Sequence, residues 1–462
     1  MKKITVLCIA LLLALGVPFG FLSGAVLQEK DRITVKEKVL FGERSAANGL
    51  TVERLFGYDE HLFWRMTYQA GEKASYDAEY SFTASEHTEN NPYVHGGFWI
   101  DGHLSIGADL DRPAEEQKGL AKAVKELYDR TPIGSEGEQV IYLKDIYEYY
   151  PFEFCFDLPK ITMSGMSYDS LRPGLDEDEK RVIKAFSEFF RFPVSDSAGF
   201  HVQIEVLGKK NVSIGATTVG EFYLPETESV YTDSTCYFAI SNCMNSGNPA
   251  DFSLIPGGYG IYAFGYGYGK ELTATGVNAD SLRMVYPLDE SERVISLSLD
   301  EKEENLFVFT QNEEGFCFYA IELAAMRLTQ KHRFEGERLL SVENCGDFFF
   351  LELDEMRVAV LTKEEGGAFR HALTVPLTHA KEKWFDAGCA KAFDGERLAL
   401  VFELYEEESM YIPLCGFALA VYDETGLLFH AEYLSDLEPN LLDASRQKNC
   451  LPAEEHALIY WN

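Results

Sequence analysis

The densest run of residues able to do chemistry is 257–269, GGYGIYAFGYGYG, where Tyr259, Tyr262, Tyr266 and Tyr268 are interleaved with glycines. A loop of this make-up could present phenol rings as a stacking surface for a sugar or peptide, so these four are the candidate ligand-binding residues. The competing reading is an aromatic strand whose glycines permit close backbone packing. Gly258, Gly260 and Ala263 also match the spacing of a dinucleotide loop, but no helical pattern follows to meet a pyrophosphate. His95, Asp101 and His103, in HGGFWIDGH, could set two imidazoles and a carboxylate around a metal if a tight turn at Asp101-Gly102 paired two strands. Asp-Gly between alternating runs is equally the strongest short hairpin signal, and no metal site is assigned.

The segment 195–199, SDSAG, faintly resembles the nucleophile region of trypsin-like serine proteases, with Ser197 in the nucleophile's place. It departs at the first glycine, and no matching histidine motif lies upstream. HExxH, GxSxG, a Walker A loop and an EF-hand loop are absent. Carboxylates are too numerous for any two to stand out as a glycosidase pair. No catalytic residue and no cofactor are therefore expected.

The chain carries 41 Lys plus Arg against 75 Asp plus Glu, a formal charge of -34, with the acids spread along its length. Such a body repels phosphate backbones, so nucleic-acid binding through counterion release is disfavoured, as is adhesion to anionic lipid through a basic patch. Leaving out Cys8, the cysteines are widely and irregularly spaced, without CxxC, and most lie in apolar strand-like runs. Buried thiols and disulfides both fit that pattern.

Lys2 and Lys3 precede an uncharged apolar run over residues 4–27, long enough as a helix to cross a hydrocarbon core of about 30 Å. Gly16, Pro18, Gly20 and the triplet Ser23, Gly24, Ala25 also give it the layout of a cleavable secretory signal. Val17, Phe19, Phe21, Leu22 and Val26 keep the would-be cleavage region apolar, which favours a retained anchor. The short positive tail favours the amino end inside and the body outside the cytoplasm. The expected location is the cell membrane, single-pass with an extracytoplasmic body, or, if the leader is cut, a secreted protein.

The elements that must position any site repeat. Residues 292–309 read strand, acidic turn, strand; 337–351 and 384–402 repeat that order; and each is followed by another apolar run, at 316–321, 357–361 and 416–422. Residues 51–68 show the same order, 236–240 with 259–264 make another unit, and 456–461 is one isolated strand, as expected if the two chain ends share a unit. Recurrence every 40–50 residues or so is the mark of a propeller blade, and the chain resembles β-propeller proteins at the level of fold, without the WD dipeptide or another family signature.

Between 113 and 191 the pattern breaks. Residues 113–130 have Pro at a helix start and Leu120, Val124, Leu127 and Tyr128 on one face; residues 176–191 have an acidic first turn and Val182, Ile183, Phe186, Phe189 and Phe190 as a stripe. Two helices are predicted there, with strands returning over 140–158 and 200–224. The expected fold is mainly β, a propeller-like array of four-stranded blades with a helix-containing insertion, behind one N-terminal transmembrane or signal helix. The layout is 1–27 leader, 28–112 first β region, 113–233 α+β insertion and 234–462 repeats.

Location, repeat and missing motifs together point to a membrane-tethered scaffold that binds a protein or glycan ligand at the cell surface. The alternative is an extracytoplasmic hydrolase acting on carbohydrate with dispersed carboxylates. A sensor is a third reading, but two cytoplasmic lysines leave no room for an output domain.

Overall fold

The computed structural model describes residues 35–58, 62–73, 75–81, 96–102, 104, 106–166, 176–242, 250–267, 276–364, 366–377, 389–405, 413–435 and 457–462, with 16, 17 and 20. The chain forms two compact units: residues 1–92 with 347–462, and residues 93–346. In chain order the first unit opens with strands β1 (Val35–Gly42), β2 (Leu50–Tyr58), β3 (Leu62–Gln69) and β4 (Ser75–Ser81). The second contains β5 (Gly97–Asp101), helix α1 (Gly119–Arg130), β6 (Glu136–Tyr142), β7 (Glu153–Leu158), β8 (Ile161–Met166), helix α2 (Glu177–Phe189), β9 (Gly199–Gly208) and β10 (Asn211–Val219). It continues with β11 (Pro225–Tyr231), β12 (Thr235–Asn242), β13 (Gly260–Tyr266), β14 (Val277–Pro287), β15 (Arg293–Leu299), β16 (Asn305–Asn312), β17 (Gly315–Glu322), β18 (Arg327–Glu335) and β19 (Leu339–Asn344). The first unit resumes with β20 (Phe348–Leu353), β21 (Arg357–Lys363), β22 (Phe369–Pro376), β23 (Cys389–Phe393), β24 (Leu398–Tyr405), β25 (Pro413–Asp423), β26 (Gly426–Ser435) and β27 (Ala457–Trp461).

Within the second unit, β11 to β14 and β15 to β18 are two four-stranded antiparallel sheets in sequence order, which is the blade pattern the repeats predict. Their first strands lie side by side, β11 beside β15, with β19 next to β15. The middle strands β16 and β17 are almost continuously buried, whereas the last, β18, alternates and is mostly exposed. That gradient explains why the sequence shows apolar runs in mid-blade and polar alternation at its edge. The acidic turn after β15 closes on Asp300, whose Oδ1 accepts from the amides of Glu304 at 2.7 Å and Asn305 at 3.0 Å. The first strand of the earlier sheet, β11, precedes residue 234, the expected start of the repeats.

The helices belong to this unit's core. Asp176 caps α2 in a capping box with Glu179, satisfying amides that would otherwise lack partners. Phe186 on α2 meets Phe98 and Phe156 at ring-centroid distances of 5.4 and 5.0 Å and Phe264 at 5.2 Å, joining the sheet β5-β7-β8 to the blade β11–β14. Phe190, just past the helix, packs on Tyr262 at 5.2 Å. The other predicted helix begins later than its proline suggests. Pro113 is extended, a short 3-10 turn spans Ala114–Glu116, and the Gln117 side chain folds back onto the carbonyls of Asp109 and Arg112 before α1 starts at Gly119. Its stripe of Leu120, Val124 and Leu127 is buried as expected.

In the first unit, β23 to β26 form a sheet to which β1 adds a fifth strand, and β27 pairs with β2 in the sheet β27-β2-β3-β4. The pairing runs from Leu50 opposite Trp461 to Arg54 opposite Ala457, so the first and last parts of the chain share a blade. Tyr433 stacks on Phe417 at a centroid distance of 4.7 Å and packs tilted against Tyr68 at 4.6 Å. Its hydroxyl donates to Glu37 at 3.0 Å, and Arg44 donates to the same carboxylate at 2.6 Å, pinning β1 to the body.

Cys155, Cys236 and Cys317 are buried thiols, not disulfides. Among the described residues no helix is long and apolar enough to cross a membrane; the run 4–27, apart from Gly16, Val17 and Gly20, lies outside them.

Candidate functional site

Strand β11 reads PETESVY, and its period of two sends alternate residues to opposite sides. On one side, Thr227 Oγ1 and Ser229 Oγ accept from the amides of Ile100 and Phe98 at 3.1 and 3.0 Å, docking β5 through side-chain hydroxyls. Gly97 is required for that approach: its φ is +81°, and a Cβ there would stand 2.4 Å from Ser229 Oγ. Glu226 and Glu228 occupy the other register, toward β15.

Arg293 opens β15. Its Nε donates to Glu226 Oε2 at 3.0 Å and its Nη2 donates to the same oxygen. Both donors converge on one oxygen, which leaves Oε1 outside the pair. Glu228 has no share in this fork. Burial, first, and the neighbouring Glu226 charge, second, push its carboxyl up to about 7 against the opposing pull of Arg293. A carboxyl raised to about 7 thus stands beside an ion-paired one.

A network around Arg293 fixes its place. On its carboxyl side, the Val294 amide donates to Ser241 Oγ at 3.0 Å. On its amino side, the Tyr259 hydroxyl donates to the Glu292 carbonyl at 2.5 Å while lying 3.0 Å from Ser241 Oγ. The Glu292 carboxylate is itself buried, with the Tyr319 hydroxyl 2.7 and 2.6 Å from its two oxygens. Lys331 Nζ donates to that hydroxyl at 2.8 Å and lies 4.5 Å from the ring centroid. Burial, reinforced by Glu292, drives the Tyr319 phenol far above its ordinary value, so it stays a donor across the physiological range. The arrangement holds one cation, a carboxylate paired with it and a second carboxyl raised by burial on adjacent strands, able to bind a polar or basic group or to exchange a proton.

The tyrosines expected to bind ligand have other surroundings. Tyr259, Tyr262 and Tyr266 are 6%, 0% and 4% exposed, and their rings lie in the core at and just before β13. Their hydroxyls are consumed inside the fold, that of Tyr262 on the Gly258 carbonyl and that of Tyr266 on Thr232. Tyr259 contributes indirectly, through Glu292. Tyr268, His95 and His103 lie outside the described residues. Ser197 staples a loop: its Oγ accepts from the Glu221 amide at 3.0 Å and lies 3.3 Å from Ser195 Oγ. Among the described residues no cluster of three or more His, Cys, Asp or Glu is arranged to hold a metal.

Sequence reasoning missed Glu226, Glu228, Arg293 and their supports. The one available signal was the i, i+2 spacing of the two glutamates in a strand-like stretch, which sets both on one face.

No protein-family model matches the chain, and no curated protein matches it. Solved structures similar to it include the β-propeller domain of Cps50 (Swd1) from Myceliophteria thermophila, at 8% identity and a TM-score of 0.27 over 51% of this chain and 68% of that one. Hsv2 of Kluyveromyces lactis matches at 10% identity and a TM-score of 0.26 over 63% of this chain and 84% of its own. A putative 6-phosphogluconolactonase from Bacteroides uniformis matches at 13% identity and a TM-score of 0.25 over 63% and 81%. The chain is a β-propeller-like repeat protein, with four-stranded blades evident in its own strand order and register.

Proposed function

We propose that this protein is a ligand- or partner-binding scaffold, tethered at the cell surface by residues 4–27, which presents the Glu226, Glu228 and Arg293 site to a polar ligand. The observation that carries the reading is the joint placement of the Glu226–Arg293 pair and the near-neutral Glu228 on neighbouring first strands, with Arg293 braced on both sides. A preorganised polar constellation on rigid strands is what recognition of a hydroxyl-rich glycan or a basic protein segment requires. The net charge of -34 adds long-range attraction for the basic partner. Support for the tether is the uncharged apolar run behind Lys2 and Lys3.

Thermal shift with neutral oligosaccharides and with lysine-rich peptides tests the site. The reading expects one class to raise the melting temperature of the native protein and to lose that effect in Arg293→Met. Equal shifts in both proteins would reject this site.

A second reading, a carbohydrate-active hydrolase, draws on the raised Glu228 carboxyl beside Glu226, which is paired with Arg293, an arrangement that suits a proton donor next to a charged partner. It expects glycan turnover that Glu228→Gln abolishes while binding persists.

A further inference from the structure

Strand β1 joins the residues that follow the leader to the body, and its outer part is apolar and exposed. Val39, Leu40 and Phe41 are 38%, 43% and 45% exposed on the terminal strand of the sheet β1-β26-β25-β24-β23. Three consecutive exposed apolar residues on a sheet-edge strand are a liability that folded proteins ordinarily blunt with charge or proline. Here the register slips instead: Val39 faces Ala431 and Phe41 faces His430, so Leu40 is an extra residue in a bulge. Bulges re-aim side chains. The earlier part of the strand is held inward, by Val35, partly buried against the core, and by Glu37 on Tyr433 and Arg44, whereas residues 39–41 keep much of their apolar surface exposed.

What they meet follows from chain length. The apolar run ends at Leu27 and β1 begins at Val35. The intervening residues 28–34 span at most about 25 Å even when fully extended. We infer that Val39, Leu40 and Phe41 insert into the interfacial layer of the same bilayer that holds the leader, so that β1 is a second, shallow membrane contact. The inference rests on the tether reading proposed above. Insertion of this kind takes apolar side chains about 5–10 Å into the headgroup and acyl boundary. Charge does not drive it: Lys38 is taken by Glu432 at 3.0 Å, and the body as a whole is acidic. The contact should therefore persist at high salt and on zwitterionic lipid.

The test uses the full chain with Leu40→Trp, reconstituted in phosphatidylcholine vesicles, with the native protein as the blank for its own tryptophans. Phe41→Trp serves as the second variant if the first folds poorly. The added tryptophan is expected to emit to the blue of an aqueous indole, to lose emission to lipids brominated high on the acyl chain, and to lose less to lipids brominated near the bilayer centre. The loss should be unchanged by high salt. Vesicle-bound protein whose added tryptophan is untouched by brominated lipid but quenched by aqueous iodide would overturn the inference while leaving the tether intact. A blue-shifted tryptophan with no bromine quenching, accompanied by dimers in detergent, would assign β1 to a second copy of this chain and equally overturn it. Protein that fails to bind vesicles at all would defeat the tether reading itself.

Discussion

Replacing Glu228 with Gln should stabilise the second unit at pH 8 and leave it unchanged near pH 4.5. In the folded protein the carboxyl is raised from 4.5 to about 7, mainly by burial. Between those two values the folded chain holds a proton that the unfolded chain has lost, so stability falls as pH rises, and above the upper value the loss is complete. At about 1.4 kcal/mol per pH unit the full displacement corresponds to roughly 3 kcal/mol. Because the carboxyl is only part-buried, solvent screening brings the expected effect to about 1–3 kcal/mol. Gln cannot ionise, so its advantage over the native residue should grow from nothing to a few degrees of melting temperature, about 2–8 °C for a unit of this size. The assay is differential scanning calorimetry of both proteins from pH 4.5 to 8.5. A difference independent of pH, or a native protein that gains on the variant as pH rises, would refute the burial of Glu228.

Glu226→Gln removes a charge that raises Glu228, and Arg293→Met removes one that lowers it, so the first should move the pH transition below 7 and the second above; carboxyl titration followed by NMR reads both. Tyr319→Phe strips the hydroxyl between Glu292 and Lys331, leaving a buried carboxylate short of its donor at a cost of about 1–3 kcal/mol, visible as a lower melting temperature of the second unit. Phe186→Ala should cost about 3–5 kcal/mol by opening a cavity among Phe98, Phe156 and Phe264, whereas Asp176→Ala should cost only about 1 kcal/mol through the lost cap; urea unfolding separates the two. Deleting residues 457–462 removes β27 from the edge of β2 and should open the β2–β4 sheet to limited proteolysis, while the second unit's transition stays in place.

The blades were legible because their middle strands are apolar and their turns acidic: within 292–309, and at 316–321 and 416–422, the apolar runs read as strands. The helices were legible from their stripes, although Pro113 misled about where α1 starts, since Gln117 makes a side-chain cap to a preceding loop that no local pattern encodes. The tyrosines of 257–269 illustrate the opposite case. Their composition fits both a displayed loop and an aromatic strand with close glycine packing; the rings of Tyr259, Tyr262 and Tyr266 turn inward, and Tyr262 packs on Phe189, Phe190 and Phe238, residues that no local pattern links to it. The site residues were hidden for a related reason. Glu226 and Arg293 are 67 positions apart, and in a chain with 75 acids only three-dimensional pairing distinguishes one glutamate from another.

The central proposal is a propeller-like body held at a membrane by an uncut leader, and intact mass of the native protein measured together with membrane fractionation tests it most directly. The account predicts a species that carries residues 1–27 and remains in the membrane pellet after an alkaline wash. A mass showing a cut near Ala25, in protein found soluble outside the cell, would contradict it and turn the search toward glycan substrates.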